Sequence, residues 1–159
     1  MGSNSSNTQT YFISPTSYEE ICLEIHNQKR DLHDSPHLLL NEELNKLAVE
    51  CASKLSNNEN SINNVYKDEF LGQNIYIYKG SKFDIYKILD EWYKEIKNYS
   101  ANLNKFQKKT SHFTQMIWKG TKEIGFGYKN KGGIFYIVAL YYPPGNIFDE
   151  FKENVLIKN

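Results

Sequence analysis

Hydrophobic positions recur at helical spacing over the first third of the chain. Tyr18, Ile21, Cys22, Ile25, Lys29 and Leu32 follow at three- and four-residue steps, and only Lys29 breaks the apolar stripe. Ser17 and Glu20 form a capping box at the start of this helix, and Pro36 marks where it has ended. A second helix is expected after an Asn41 cap, with Leu44, Leu47, Ala48, Cys51 and Leu55 on one face. Residues 56–70 are polar and Asn-rich and read as a long loop, whereas "GQNIYIY" at 72–78 reads as a short strand. Ile85, Ile88, Leu89, Trp92 and Ile96 mark a third helix, and a second loop spans 98–110. Three β-like runs follow at 112–118, 123–129 and 133–142, the last two joined by the hairpin signal "NKGG". "GIFYIVALYY" is apolar on both faces, so it belongs at the centre of a sheet covered above and below. Helices followed by such a sheet give an α+β fold, a three-layer α-β-α sandwich around a central antiparallel sheet.

Length and charge narrow the function classes. A chain of 159 residues accommodates one domain with its own core, placed here at 17–159, behind a flexible Ser/Asn/Thr-rich tail at 1–16. Nineteen basic and nineteen acidic residues cancel, so any electrostatic partner must use a local patch. Arg30 is the only arginine, which argues against bidentate readout of nucleic acid. No apolar run reaches the roughly 20 residues of a membrane span. The polar N-terminus carries no secretory signal pattern. Cys22 and Cys51 read as two reduced, buried thiols of a cytosolic protein.

Candidate chemistry is sparse. Glu95 lies on the flank of the third helix's apolar stripe, where a partly desolvated carboxylate requires a partner, and His112 is the natural one. Such a pair can be a structural hydrogen bond or a functional dyad, but two ligands fall short of a tight metal site. His26, His33 and His37 read as solvated or locally bonded. Gly125 and Gly127 leave one strand face nearly bare, so another backbone or ring can approach closely. No nucleophile elbow, phosphate loop or zinc-protease helix motif is present. "MGSNSS" fits the pattern for myristoylation at Gly2, and Lys105, Lys108 and Lys109 in "KFQKK" could supply the second, anionic-lipid signal that one acyl chain needs.

"HFTQMIWKGT" at 112–121 resembles the signature of the CAP superfamily, which comprises the cysteine-rich secretory, antigen 5 and pathogenesis-related 1 proteins. "YIVALYYPPGN" at 136–146 is similar to its second signature, and "GQNI" and "WYKEI" fall where the family has Gly-Glu-Asn and a glutamate-bearing helix. The resemblance runs from about residue 18 to 157, and its nearest likeness is to the intracellular, Golgi-associated pathogenesis-related subgroup. It implies the α-β-α sandwich and a cleft of two His and two Glu. His112 and Glu95 match one of each, with Asn74 as cleft support. Gln73 stands at the other glutamate position, and the other histidine position, around Ile62, holds no histidine. Ala139 takes the place of a family cysteine, and Ser111 that of a Gly or acidic residue.

The resemblance thus implies a degenerate metal site with no catalytic residue and no cofactor, at most weak divalent-metal binding at His112 and Glu95. It implies a non-enzymatic, lipid- or membrane-associated protein, cytoplasmic, peripheral and Golgi-like rather than secreted. The expected partners are membrane lipids, anionic phospholipid or sterol, and a homodimer is open. "YIYKGSKF" at 76–83 fits the loose spacing of a caveolin-binding motif. The alternatives are a protein-interaction module and a metal-assisted hydrolase using His112 and Glu95.

Overall fold

Ser17 accepts a hydrogen bond from the Glu20 amide and starts helix α1, Tyr18–Asp31, in the computed structural model, which describes residues 17–59 and 65–158. The tail at 1–16, with Gly2, and the position of Ile62 lie outside the described residues. The two-residue strand β1, Leu39–Leu40, leads to α2, Glu42–Ser56, capped by the Asn41 side chain. A small hairpin, β2 Val65–Tyr66 and β3 Glu69–Phe70, occupies part of the expected loop. Strand β4, Gly72–Lys79, precedes α3, Ile85–Lys94, which Asp84 caps. A 3-10 turn continues α3 over Glu95–Asn98. Helix α4, Ser111–Ile117, strands β5 Glu123–Lys131 and β6 Ile134–Tyr142, and the short α5, Phe151–Asn154, complete the order.

The sheet runs β1-β5-β6-β4, with β6 central as its two-faced apolar pattern requires. The β4–β6 and β5–β6 ladders are antiparallel, and β1 alone pairs in parallel. Gly132 and Gly133 turn the β5–β6 hairpin with φ of 61° and 82°, a conformation suited to glycine. Strand alternation then builds the layers. Ile137, Ala139 and Tyr141 of β6 pack with α1, α3 and α4, while Val138 and Leu140 pack with Leu44, Ala48 and Cys51 of α2. The result is a three-layer α-β-α sandwich.

Gly125 and Gly127 face α2. A Cβ on Gly125 would lie 2.2 Å from the Leu44 carbonyl carbon, and one on Gly127 would lie 2.4 Å from the Val49 amide nitrogen. Backbone cannot move aside as a flexible side chain can. Gly125→Ala is expected to cost about 2 kcal/mol of unfolding free energy through overpacking. An unfolding midpoint equal to wild type would show that α2 shifts freely.

Two expectations fail here. The run 112–118 is helix α4, not a strand, because Phe113 through Trp118 are buried on every side and so show no periodicity to read. The fully buried stripe of α1 is Cys22, His26 and Arg30, whereas Leu32 is 55% exposed. Both cysteines are buried and neither forms a disulfide, and burial, with Glu19 nearby, pushes the Cys22 thiol well above its usual range.

Candidate functional site

Glu95 caps α3 and reaches α4 with both carboxylate oxygens. His112 Nδ1 donates to Oε2 at 2.8 Å, and the Phe113 amide donates to Oε1 at 3.0 Å. Trp92 of α3 stacks on the His112 ring, with centroids 5.6 Å apart and planes 8° apart. The dyad is only partly shielded, with side chains 33% and 21% exposed for His112 and Glu95. His112 Nε2 has no hydrogen-bond partner among the described residues.

Beneath the dyad runs a directed chain of buried polar groups. Asn74 of β4 donates both amide hydrogens, one to the His112 carbonyl and one to the Tyr141 hydroxyl, each at 3.1 Å. Tyr141 donates to His26 Nε2 at 2.7 Å, and His26 Nδ1 donates to the Cys22 carbonyl at 2.7 Å. Each donor has an acceptor only if His26 is neutral with its proton on Nδ1. Burial enforces that state, pushing the His26 pKa down to about 4, and the Arg30 charge works in the same direction.

The four histidines therefore part company. His26 and His33 are buried rather than solvated, and His33 bonds the Leu156 carbonyl and the Tyr93 hydroxyl. His37 is exposed beside Asp31. Arg30 is wholly buried and donates to the carbonyls of Pro36, Met116, Trp118 and Thr121. It closes the C-terminal end of α4, a role that its isolation in the sequence does not reveal.

The two signature segments clasp one another. Gln115 Oε1 accepts from the Gly145 amide at 2.9 Å, and its Nε2 donates to Thr121, which donates to the Pro143 carbonyl. Thr114 donates to Asn146 Oδ1 at 2.5 Å, and Asn146 donates to the Ser111 carbonyl at 3.0 Å. A Cβ on Gly72 would lie 2.2 Å from Gln115 Oε1, which leaves room for no side chain there.

The residues do not fit a metal centre. Glu95 spends both oxygens on α4, and no group of three or more His, Cys, Asp or Glu that could hold an ion occurs among the described residues. Gln73 is exposed on β4, and strand alternation turns it away from Asn74. A groove of about 450 Å³ lies elsewhere, between Tyr76, Tyr78, Phe83, Lys87 and Ile88, and takes in the caveolin-like segment.

Comparison with known proteins decides the family. The CAP model, described as the cysteine-rich secretory protein family, matches residues 23–142. The chain belongs to the CAP family. It is 34% identical over 142 residues to Golgi-associated plant pathogenesis-related protein 1 of Homo sapiens, covering 84% of this chain and 89% of that protein. It is 35% identical over 134 residues to protein PRY2 of Saccharomyces cerevisiae, covering 82% of this chain but only 39% of PRY2. Among solved CAP-like folds, Schistosoma mansoni venom allergen-like protein 4 superposes with a TM-score of 0.67 at 24% identity, over 81% of this chain and 90% of that one. The sandwich is thus the CAP fold.

Proposed function

We propose that this CAP protein is a non-enzymatic, peripheral membrane protein of the cytoplasm, associating with anionic lipid. The observation that carries the reading is a charge bias. Residues 96–122 hold six lysines and no Asp or Glu, and Lys105, Lys108 and Lys109 are exposed. Each lysine near an anionic bilayer contributes about 1 kcal/mol. An acyl chain on Gly2 would add the apolar signal. No helix of the described residues is long and apolar enough to cross a membrane.

The non-enzymatic part rests on the dyad. Glu95 ties α3 to α4 and orients His112, and no Ser, Thr or Cys hydroxyl or thiol is hydrogen-bonded to His112 among the described residues. The pair is architectural. His112→Ala is therefore expected to lower the urea unfolding midpoint while leaving vesicle association unchanged. Loss of vesicle association at wild-type stability would reverse the assignment.

Vesicle flotation of acylated and unmodified protein, with and without phosphatidylserine, tests the reading. Flotation that increases with acylation and with anionic lipid is expected. Protein that stays at the bottom in all four conditions would refute membrane association.

A further inference from the structure

Two loops that are distant in sequence are pinned together beside α4. Asn104 donates to the carbonyl and the carboxylate of Asp149, each at 3.0 Å, and its Oδ1 accepts from the Lys152 amide. Gln107 holds the first loop from within, accepting from the Ser100 amide and donating to the Ser100 carbonyl. Between residues 101 and 109, Asn104 and Gln107 alone are drawn inward, and the remainder are exposed. This is a loop held in shape by its polar residues so that its apolar ones face solvent.

Four of those outward residues are large and apolar. Leu103 is 41% exposed and Phe106 51%, and on the second loop Ile147 is 38% and Phe148 79% exposed. All lie within two residues of the Asn104–Asp149 contact. Single exposed hydrophobes are ordinary, but four at one junction mark an interaction surface. Lys105, Lys108 and Lys109 interleave with the first pair. The second loop adds Asp149 and Glu150, and α5 adds Lys152 and Glu153. Asn104 is neutral and leaves the Asp149 charge in place, so the positive charge of the junction is that of the first loop, whose three lysines have no Asp or Glu beside them between residues 96 and 122.

We propose that this junction is the membrane-contacting face, with Phe106 and Phe148 inserting at the headgroup boundary of an anionic bilayer while the adjacent lysines meet lipid phosphate. The inference rests on the membrane reading above and assigns it to a surface. Phenylalanines flanked by lysines suit that boundary, because the rings supply the apolar insert while each lysine keeps its methylene stem at the boundary and its ammonium in water. Pinning by Asn104 and Gln107 removes much of the ordering cost of docking. The same face adjoins the N-terminal end of α4, because Asn146 bonds the Ser111 carbonyl, one residue from His112.

The test uses the Gly2-myristoylated full chain on phosphatidylcholine vesicles containing about one-third phosphatidylserine. Phe106→Ser combined with Phe148→Ser is expected to reduce the vesicle-bound partition roughly tenfold, because two exposed rings lose their apolar burial. Ile77→Ser, on the exposed part of β4, is expected to leave it unchanged. If wild type floats and the double variant floats equally, this face is wrong and the membrane reading survives. If wild type does not float, both fall. Phe148→Trp supplies an independent readout, with a blue shift of emission on vesicles expected and an unshifted spectrum of bound protein overturning insertion. If the double variant lowers the solution mass from dimer to monomer without changing flotation, the face belongs to a second copy and the proposal fails.

Discussion

Arg30→Leu is expected to destabilise the protein by about 4 kcal/mol, because it leaves several buried carbonyls without a donor at about 1 kcal/mol or more each. The guanidinium is 0% exposed and meets four carbonyls at 2.7, 3.2, 2.8 and 3.0 Å. Leucine fills the volume but leaves those carbonyls without donors, and each buried orphan costs a desolvation penalty. Two of them, Met116 and Trp118, end α4, whose last carbonyls have no partner within the helix. Ser35 closes a third, the Ile117 carbonyl, at 2.6 Å. Burial lowers the Arg30 pKa to about 10, so the side chain is still charged at neutral pH. Arg30→Lys recovers the charge but not the fork, and a point charge cannot reach four acceptors in three directions. Urea denaturation of wild type, Arg30→Leu and Arg30→Lys measures this. An Arg30→Leu midpoint close to wild type would show that α4 finds other donors.

The consequence reaches the candidate site, because α4 carries His112 at its first turn and the Arg30 acceptors at its last. A helix of seven residues has too few internal hydrogen bonds to hold its own shape. Glu95 holds one end and Arg30 the other. The site's geometry is therefore a product of α1 and α3 rather than of α4 itself.

What could be read from sequence follows from where polarity and burial coincide. Helix α2 is legible because its buried face, Leu44, Ala48 and Cys51, is apolar and its opposite face is charged. Strand β6 is legible because both of its faces are covered. The meeting of Glu95 with His112 is legible because a carboxylate on an apolar flank needs a donor. The bare face of Gly125 and Gly127 likewise announces a close approach, and α2 makes it.

Legibility ends where polar residues are the core. His26 reads as solvated or locally bonded and Arg30 only as a lone arginine, yet both belong to the buried stripe of α1, with partners 115 and 86 to 91 residues away along the chain. A signal existed in Tyr141, since a hydroxyl inside an otherwise apolar strand must find a partner. The identity of that partner is a matter of tertiary packing alone. Helix α4 was hidden for the opposite reason. Burial on all sides erases the period by which a helix is recognised.

The buried chain from Asn74 to Cys22 makes stability depend on pH in a defined window. His26 has a pKa of about 4 when folded, against 6.5 as its ordinary value. Above 6.5 both states are neutral and the group contributes nothing to the slope. Between 6.5 and 4 the unfolded chain binds a proton that the folded protein refuses, so stability falls as pH falls. At about 1.4 kcal/mol per unit, the loss across the window amounts to about 3 kcal/mol. Below 4 the term is flat again. His33, also lowered chiefly by burial, acts in the same direction. Carboxylates titrate over the same range, so the informative quantity is a difference between variants. His26→Gln removes the titration, and its unfolding free energy is expected to fall by about 3 kcal/mol less than wild type between pH 6.5 and 4. Parallel curves would mean that His26 is protonated in the folded state. That result would break the chain, because a protonated His26 cannot accept from Tyr141. Tyr141 would then have to find another acceptor, and Asn74, which donates to Tyr141 and to the His112 carbonyl, would be the first residue of the cleft to respond.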